Sequence, residues 1–303
     1  MNAADSQVKP SVLIPFRPAA YHMKTLYLFT RSDIKTIVLP NVRPMAVARS
    51  SRLFSLQLCI AIALNRQTSP VQALKTLLWI WLLLLTFCVS NQASARSVIE
   101  DRINKSWRPI PSSRITIQQA GLLRWFLVFL SLSVSALHGN LTAAAIILAA
   151  EVAYNDLGLS DWWFTKSLVN AVGYMGFQYG AVTIISASDG SVETRIIKSI
   201  STFGLLILTT TQAQDFYDAE GDHAIGRRTA ATLYPDTSRM LTAISIAAWA
   251  IILPIVWDTM YIASIIFTLL GTFVAARFPL FRGRKPDETT FLYYSVSFER
   301  LLR

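Results

Sequence analysis

Residues 203–229 read FGLLILTTTQAQDFYDAEGDHAIGRRT, and the reading of the whole chain turns on them. The first part is apolar enough to lie in hydrocarbon. The second carries Asp215, Asp218 and Asp222 at i, i+3 and i+7, followed by Arg227 and Arg228. On a helix that spacing puts three carboxylates on one face. Like charges so placed repel, and a bound cation offsets the repulsion. Mg²⁺ suits such a site because it is a hard ion that takes one or two carboxylates together with water and phosphate oxygens. A diphosphate is then the matching ligand, and the two guanidinium groups match its oxygens. Taken alone, the stretch could also be a solvated Asp-rich loop.

The surrounding sequence has the same character. The chain has 303 residues, 53% of them hydrophobic and only 15% charged. The apolar residues gather in blocks near 35–64, 73–91, 118–136, 141–155, 166–187, 196–213, 238–257 and 260–281. Blocks close to twenty residues have the length that crosses a hydrocarbon core as helix. The first is the weakest, because Arg43, Pro44, Arg49 and Arg52 interrupt it and charge at mid-bilayer is costly. The spacing predicts an all-α fold, a polytopic membrane helical bundle of about eight to nine transmembrane helices. Residues 1–34 read as a soluble N-terminal arm and 35–303 as the bundle. The first apolar run does not begin near Met1, so no cleavable signal peptide is expected. The last residues, from Phe291, are too few to span a bilayer as helix and are expected as a half-helix or a surface segment.

Loops 92–117, 156–165, 214–237 and 277–290 are long or charged, whereas 137–140, 188–195 and 258–259 are short and hold few Lys or Arg. Because spanning helices alternate direction, the first set shares one side, and its basic residues make that side cytosolic. An integral, multi-pass membrane protein is expected, with the endoplasmic reticulum as the expected compartment, which the residues themselves do not specify. The net charge of +10 is spread over short loops, so no nucleic-acid module is expected. No obligate protein partner is evident either. Cys59 and Cys88 sit in apolar surroundings without a CxxC pattern and read as packing residues. Asn140 heads an NLT sequon on the opposite side, too near the membrane to be a convincing glycan site.

On the first side a second charged stretch follows the second apolar block: NQASARSVIEDRINKSWRPIPSSRIT, Asn91 to Thr116. It offers Asn91, Gln92, Glu100 and Asp101, then Lys105 and Arg108. Acids come first and cations after, as in the Asp215 stretch. Glu100 and Asp101 are adjacent, about 100° apart on a helix, so both serve one site only near a helix end or in a loop.

Together, NQ…ED…NK.WRPIP and DxxDxxxD…GRRT resemble the two Asp-rich motifs of the UbiA superfamily of intramembrane prenyltransferases, in particular a fungal branch that includes membrane-bound sesquiterpene cyclases. The resemblance runs over most of the chain. It implies a bundle of nine membrane helices around a central cavity, in which two Mg²⁺ ions hold a prenyl diphosphate between the motifs and the substrate ionises to an allylic cation. The first motif departs from the family's NDxxDxxxD: Gln92 follows Asn91, the middle Asp is missing, and the acids arrive two residues late. Carried over residue by residue, Asn91, Glu100 and Asp101 would serve one ion and Asp215, Asp218 and Asp222 the other. Lys105, Arg108, Arg227 and Arg228 would hold the diphosphate, and Asp101, Asp215, Asp218 and Asp222 would be catalytic.

Tyr154, Asn155 and Asp156 end a block on the same side and are candidates for the cavity mouth, with a helix-ending turn as the alternative. Asn170, Tyr174 and Gln178 recur at i, i+4 and i+8, a polar stripe that either glues helices together or lines a cavity. Trp162, Trp163 and Phe177 are candidate aromatic walls for a cation. Three activities stay open: cyclisation of a prenyl diphosphate, with farnesyl diphosphate expected; transfer of the prenyl group to a phenolic acceptor; and transport through an acid-gated path. The last needs ionisable groups along the bundle, and Glu151 is the only acid within a block.

Overall fold

A computed structural model describes residues 17–33, 68–185 and 193–300. The expected first block, 35–64, lies outside them, as do Cys59 and residues 1–16 of the expected arm. Every regular element among the described residues is helical. Helix α1 is Ala19–Thr30, α2 Pro70–Gln92, α3 Ala95–Asn104, α4 Ile117–Leu137, α5 Leu141–Asn155 and α6 Trp163–Ile185. Then come α7 Glu193–Thr210, α8 Asp215–Ala224, α9 Ala230–Leu233, α10 Pro235–Val256, α11 Tyr261–Leu280 and α12 Arg284–Arg300.

Six segments are long and apolar enough to cross a membrane: α2, α4, α6, residues Ile196–Ala224 through α7 and α8, α10 and α11; α5 is a shorter apolar helix. Their boundaries follow local chemistry. Ser69 and Gln72 form a capping box with Pro70 in the first turn of α2, and Thr116 and Gln119 do the same for α4, satisfying amide groups that hydrocarbon would leave bare. Trp125, Phe126 and Phe129 on α4 point outward, as a lipid-facing surface requires. Inward, packing is helped by polar contacts: Trp79 Nε1 donates to Ser135 Oγ at 2.8 Å and Thr86 meets Ser131 at 3.0 Å, joining α2 to α4.

Two large apolar clusters form most of the core, one around Trp79, Leu83, Ile147 and Phe177, the other around Phe203, Ile246 and Phe278, with Tyr174 packed against both; a smaller third joins Ala150, Tyr154 and Val169. The described part of the expected N-terminal arm, residues 17–33, does not stand apart from the bundle. Phe29 of α1 is fully buried, its carbonyl accepts from Gln92 Nε2 at 2.9 Å, and Tyr21 donates to the Arg114 carbonyl at 3.0 Å. The C-terminal half-helix is α12, held by a buried pair between Asp287 and Arg239 of α10. Asn140 is buried with its amide donating to the Gly180 carbonyl at 3.1 Å, so its sequon is committed to packing.

The four charged loops meet at one end of the bundle. Arg96 reaches Asp161 at 2.6 Å and the Ile225 carbonyl at 2.8 Å, while Arg284 reaches the Asn104 carbonyl at 2.6 Å. One end therefore gathers these four charged connections.

Candidate active site

Helices α3 and α8 bring the two acid stretches together. Their close approach depends on Gly221, where a Cβ would lie 2.2 Å from the Asn104 amide nitrogen. Asn104 in turn donates to the Asp218 carbonyl at 3.0 Å. After α8 the chain reverses at Gly226, whose φ of +69° disfavours other residues, and this turn sends Arg227 back toward the acids.

The stretches neutralise one another reciprocally. Lys105, behind the first, places Nζ 2.7 Å from both carboxylate oxygens of Asp218 in the second. Arg227, behind the second, donates to Glu100 of the first at 2.8 Å and to Asp222 at 3.0 Å. Two further acids are held from behind: Asp101 by Arg108 at 2.7 Å and Asp215 by Lys166 at 2.6 Å. Burial pushes the Asp101 carboxyl up to about 6, against the pull of Arg108 and Lys105. Burial also works against charge on Arg108 and Arg227, but Asp101 and Asp33 beside the one and Glu100 beside the other hold both above the ordinary guanidinium value.

Beneath this rim lies a cavity. Asn91, Glu100, Lys105, Arg108, Asp218, Asp222 and Arg227 line its polar end, and Leu84, Phe87, Ile147, Tyr154, Val169, Tyr174 and Phe177 its apolar walls. Phe87 and Tyr154 pack edge to face at 5.5 Å, and Phe177 packs likewise on Trp79 at 6.3 Å. Asn170 also lines the cavity.

Other expected positions fall elsewhere. Asp215 and Asp101 are buried behind the lining and orient Lys166 and Arg108. Asn155 bonds Asn91 at 3.0 Å without lining the cavity. Arg228 is exposed, its backbone paired with Trp162 and Asp161 and its guanidinium over the Trp162 ring. Asp156 turns outward to Arg124. Trp163 is half exposed against Phe164 and does not wall the cavity; Phe87, Tyr154 and Tyr174 stand there instead. Gln178 is buried off the lining, its amide without a hydrogen-bond partner among the described residues. So the polar stripe of α6 lines the cavity only through Asn170 and Tyr174. Gln92, by contrast, lines the cavity and also ties α2 to α1.

Sequence reasoning missed Asp33, Cys88, Lys166 and Tyr217, all in the lining. Lys166 and Asp33 each stand singly at an element's end, where an ionisable residue reads as an interfacial anchor. Tyr217 sits between two of the three Asp; on a helix it points about 100–160° away from them, so their spacing does not mark it, and Lys105 Nζ lies 5.5 Å from its ring.

Comparison with known proteins agrees with this architecture. The UbiA prenyltransferase family matches residues 53–297. Fumagillin beta-trans-bergamotene synthase of Aspergillus fumigatus is 32% identical over 276 residues, covering 90% of this chain and 88% of that protein. A diterpene cyclase and a polyprenyl transferase of Hericium erinaceus are 26% and 25% identical, each covering 93% of this chain and, respectively, 88% and 94% of their own length. The fold is that of a UbiA homolog from Archaeoglobus fulgidus bound to DMAPP and Mg2+, with a TM-score of 0.58, 15% identity, and coverage of 81% of this chain and 93% of that one. A family match over most of the chain, the helical membrane bundle and the paired acid stretches converge on one conclusion: this chain is an enzyme of the UbiA prenyltransferase family.

Proposed function

We propose that the protein ionises a prenyl diphosphate, farnesyl diphosphate in the first place, and cyclises the cation to a terpene hydrocarbon. The observation that carries this is the cavity's lining: paired acids and cations from the two motif stretches, with phenyl and phenol rings of α2, α5 and α6 in the same walls. The curated relatives named as a bergamotene synthase and a diterpene cyclase support it. Lys105, Arg108 and Arg227 would hold the diphosphate, exchanging carboxylate partners for phosphate oxygens. Rings of Phe87, Tyr154, Tyr174 and Phe177 would shelter the cation, each by about 0.5–2 kcal/mol. Walls of this kind keep water from the cation until the chain's own double bonds reach it.

The residues fit Mg²⁺. Glu100, Asp218 and Asp222 line the polar end, and Asp222 Oδ2 is buried without a hydrogen-bond partner among the described residues. No three such acids converge on one point among those residues, which agrees with an ion that takes one or two carboxylates and completes its shell with phosphate and water. Asp218 and Asp222 would supply carboxylates to one such ion and Glu100, with Asn91, to a second, and when bound they would neutralise charge on the leaving diphosphate. The Archaeoglobus relative is bound to DMAPP and Mg2+. Transport finds less support, because the charged groups gather at one end instead of marking a path.

Transfer to a phenolic acceptor is the second reading, favoured by the polyprenyl transferase among the relatives. The two separate in one assay. Membranes holding the protein, given farnesyl diphosphate and Mg²⁺ with no acceptor, are expected to release diphosphate and a cyclic hydrocarbon detected by gas chromatography. No hydrocarbon, together with prenylation of an added phenolic acid, establishes the transferase instead.

We also propose that the charged end faces the cytosol. Cysteines introduced at the exposed Ser112 and Ala224 are then expected to react with an impermeant maleimide added to the cytosolic side, and one at His138 is expected not to. Opposite sidedness for positions 112 and 224 would contradict the shared site.

A further inference from the structure

Glu151 lies in a membrane helix, is 2% exposed, and lines the cavity. It belongs to neither acid stretch. A carboxylate in an apolar helix is expensive and is kept where it acts. Its place on α5 sets it apart from the rim: it sits four residues, about 6 Å along the helix axis, inward from Asn155, the residue that bonds Asn91 at the mouth. Ile147 and Tyr154 share its face of the helix and its cavity. The group therefore stands beside the hydrocarbon walls.

Its two oxygens differ. Oε1 is 3.5 Å from Nε of Arg124, whose guanidinium also holds Asp156. Oε2 is buried with no hydrogen-bond partner among the described residues. Arg124 and Ser90 are the polar groups that face the carboxyl, and Oε2 keeps a lone pair beside the cavity that Glu151 lines.

Resting on the cyclase reading above, we propose that Glu151 is the base that ends the reaction by taking a proton from the cyclised cation. Cleavage of the C–O bond sends its electron pair to the diphosphate, and a double bond of the substrate closes the ring. A C–H bond next to the cationic carbon then breaks. Its electron pair becomes the new C=C bond, and its proton bonds to Oε2 of Glu151. The carboxylic acid so formed passes its proton to the departing diphosphate, restoring the carboxylate. A placed carboxylate removes one proton among several equivalent in energy, and so selects the position of the alkene.

The test uses the full chain in membranes with farnesyl diphosphate and Mg²⁺, measuring diphosphate release and hydrocarbons separately. Glu151→Gln keeps the shape, and Arg124 keeps Asp156, so no buried cation is stranded. Diphosphate release is expected to stay within a few-fold, because ionisation precedes the step, while the wild-type hydrocarbon falls by about tenfold or more in favour of isomers or water-quenched alcohols. An unchanged mixture at the wild-type rate overturns the role. Equal loss of diphosphate release and hydrocarbon in folded protein also overturns it. Should Glu151→Gln not fold, Glu151→Asp decides: a shifted alkene mixture with normal diphosphate release supports the role, and an unshifted one overturns it. A wild type that ionises the substrate but makes no hydrocarbon overturns the cyclase reading, and this role with it, which no result confined to the variants can do.

Discussion

Asp218→Ala and Asp222→Ala are each expected to lower diphosphate release from farnesyl diphosphate by about 10²–10³-fold, some 3–4 kcal/mol of lost charge stabilisation at the leaving group. Both side chains line the polar end of the cavity, where the departing diphosphate would gather its charge. The fold should survive. Removing Asp218 frees Lys105, which also lines the cavity and can be rehydrated there. Removing Asp222 leaves Arg227 its 2.8 Å bond to Glu100. Purified variants are expected to elute as the wild type does on size exclusion while turnover falls. Wild-type turnover in both variants would refute the assignment of the rim.

Asp287→Ala should show the opposite pattern, loss of fold before any question of chemistry. Its carboxylate takes two 2.7 Å bonds from Arg239, and it is 1% exposed. The same guanidinium donates to the Phe278 carbonyl and lies 4.4 Å over the ring of Phe216, one residue after Asp215. Arg239 thus joins α8, α10, α11 and α12. Removing Asp287 strands a buried guanidinium, a change that costs about 3–5 kcal/mol. The temperature at which detergent-solubilised protein aggregates is expected to fall sharply. Asp236→Ala is the control: its pair with Arg282 is 2.5 Å long but both side chains are more than half exposed, so about 0–1 kcal/mol is at stake. Equal shifts in the two variants would show that the buried pair does not anchor the C-terminal helix.

These two outcomes separate charge that serves chemistry from charge that serves packing. Both kinds are read as Asp in the sequence, and their surroundings tell them apart. Asp218 and Asp222 face a cavity, whereas Asp287 is enclosed by one guanidinium and the backbone amide of Gly283.

The sequence alone determined the helical membrane bundle, because about twenty apolar residues in a row have few other stable fates. It also determined that both acid stretches share one end, since spanning helices alternate direction and the charged loops fell in phase. Asp218, Asp222, Glu100, Lys105, Arg108 and Arg227 were legible by residue type and order. Only the tertiary structure decided which cation holds which acid. Lys105 meets Asp218 across 113 positions and Arg227 meets Glu100 across 127, pairings that leave no mark in local spacing. It also decided which neighbours turn away: Arg228 stands next to Arg227, yet its backbone pairs with Asp161 and carries it out of the cavity. Lys166, Asp33 and Glu151 entered the site in the same way, as single ionisable residues at the ends of elements or within a block. Their meaning depends on what faces them. Local sequence sets the length and polarity of each helix, but the direction a side chain faces depends on the packing of helices far apart in the chain.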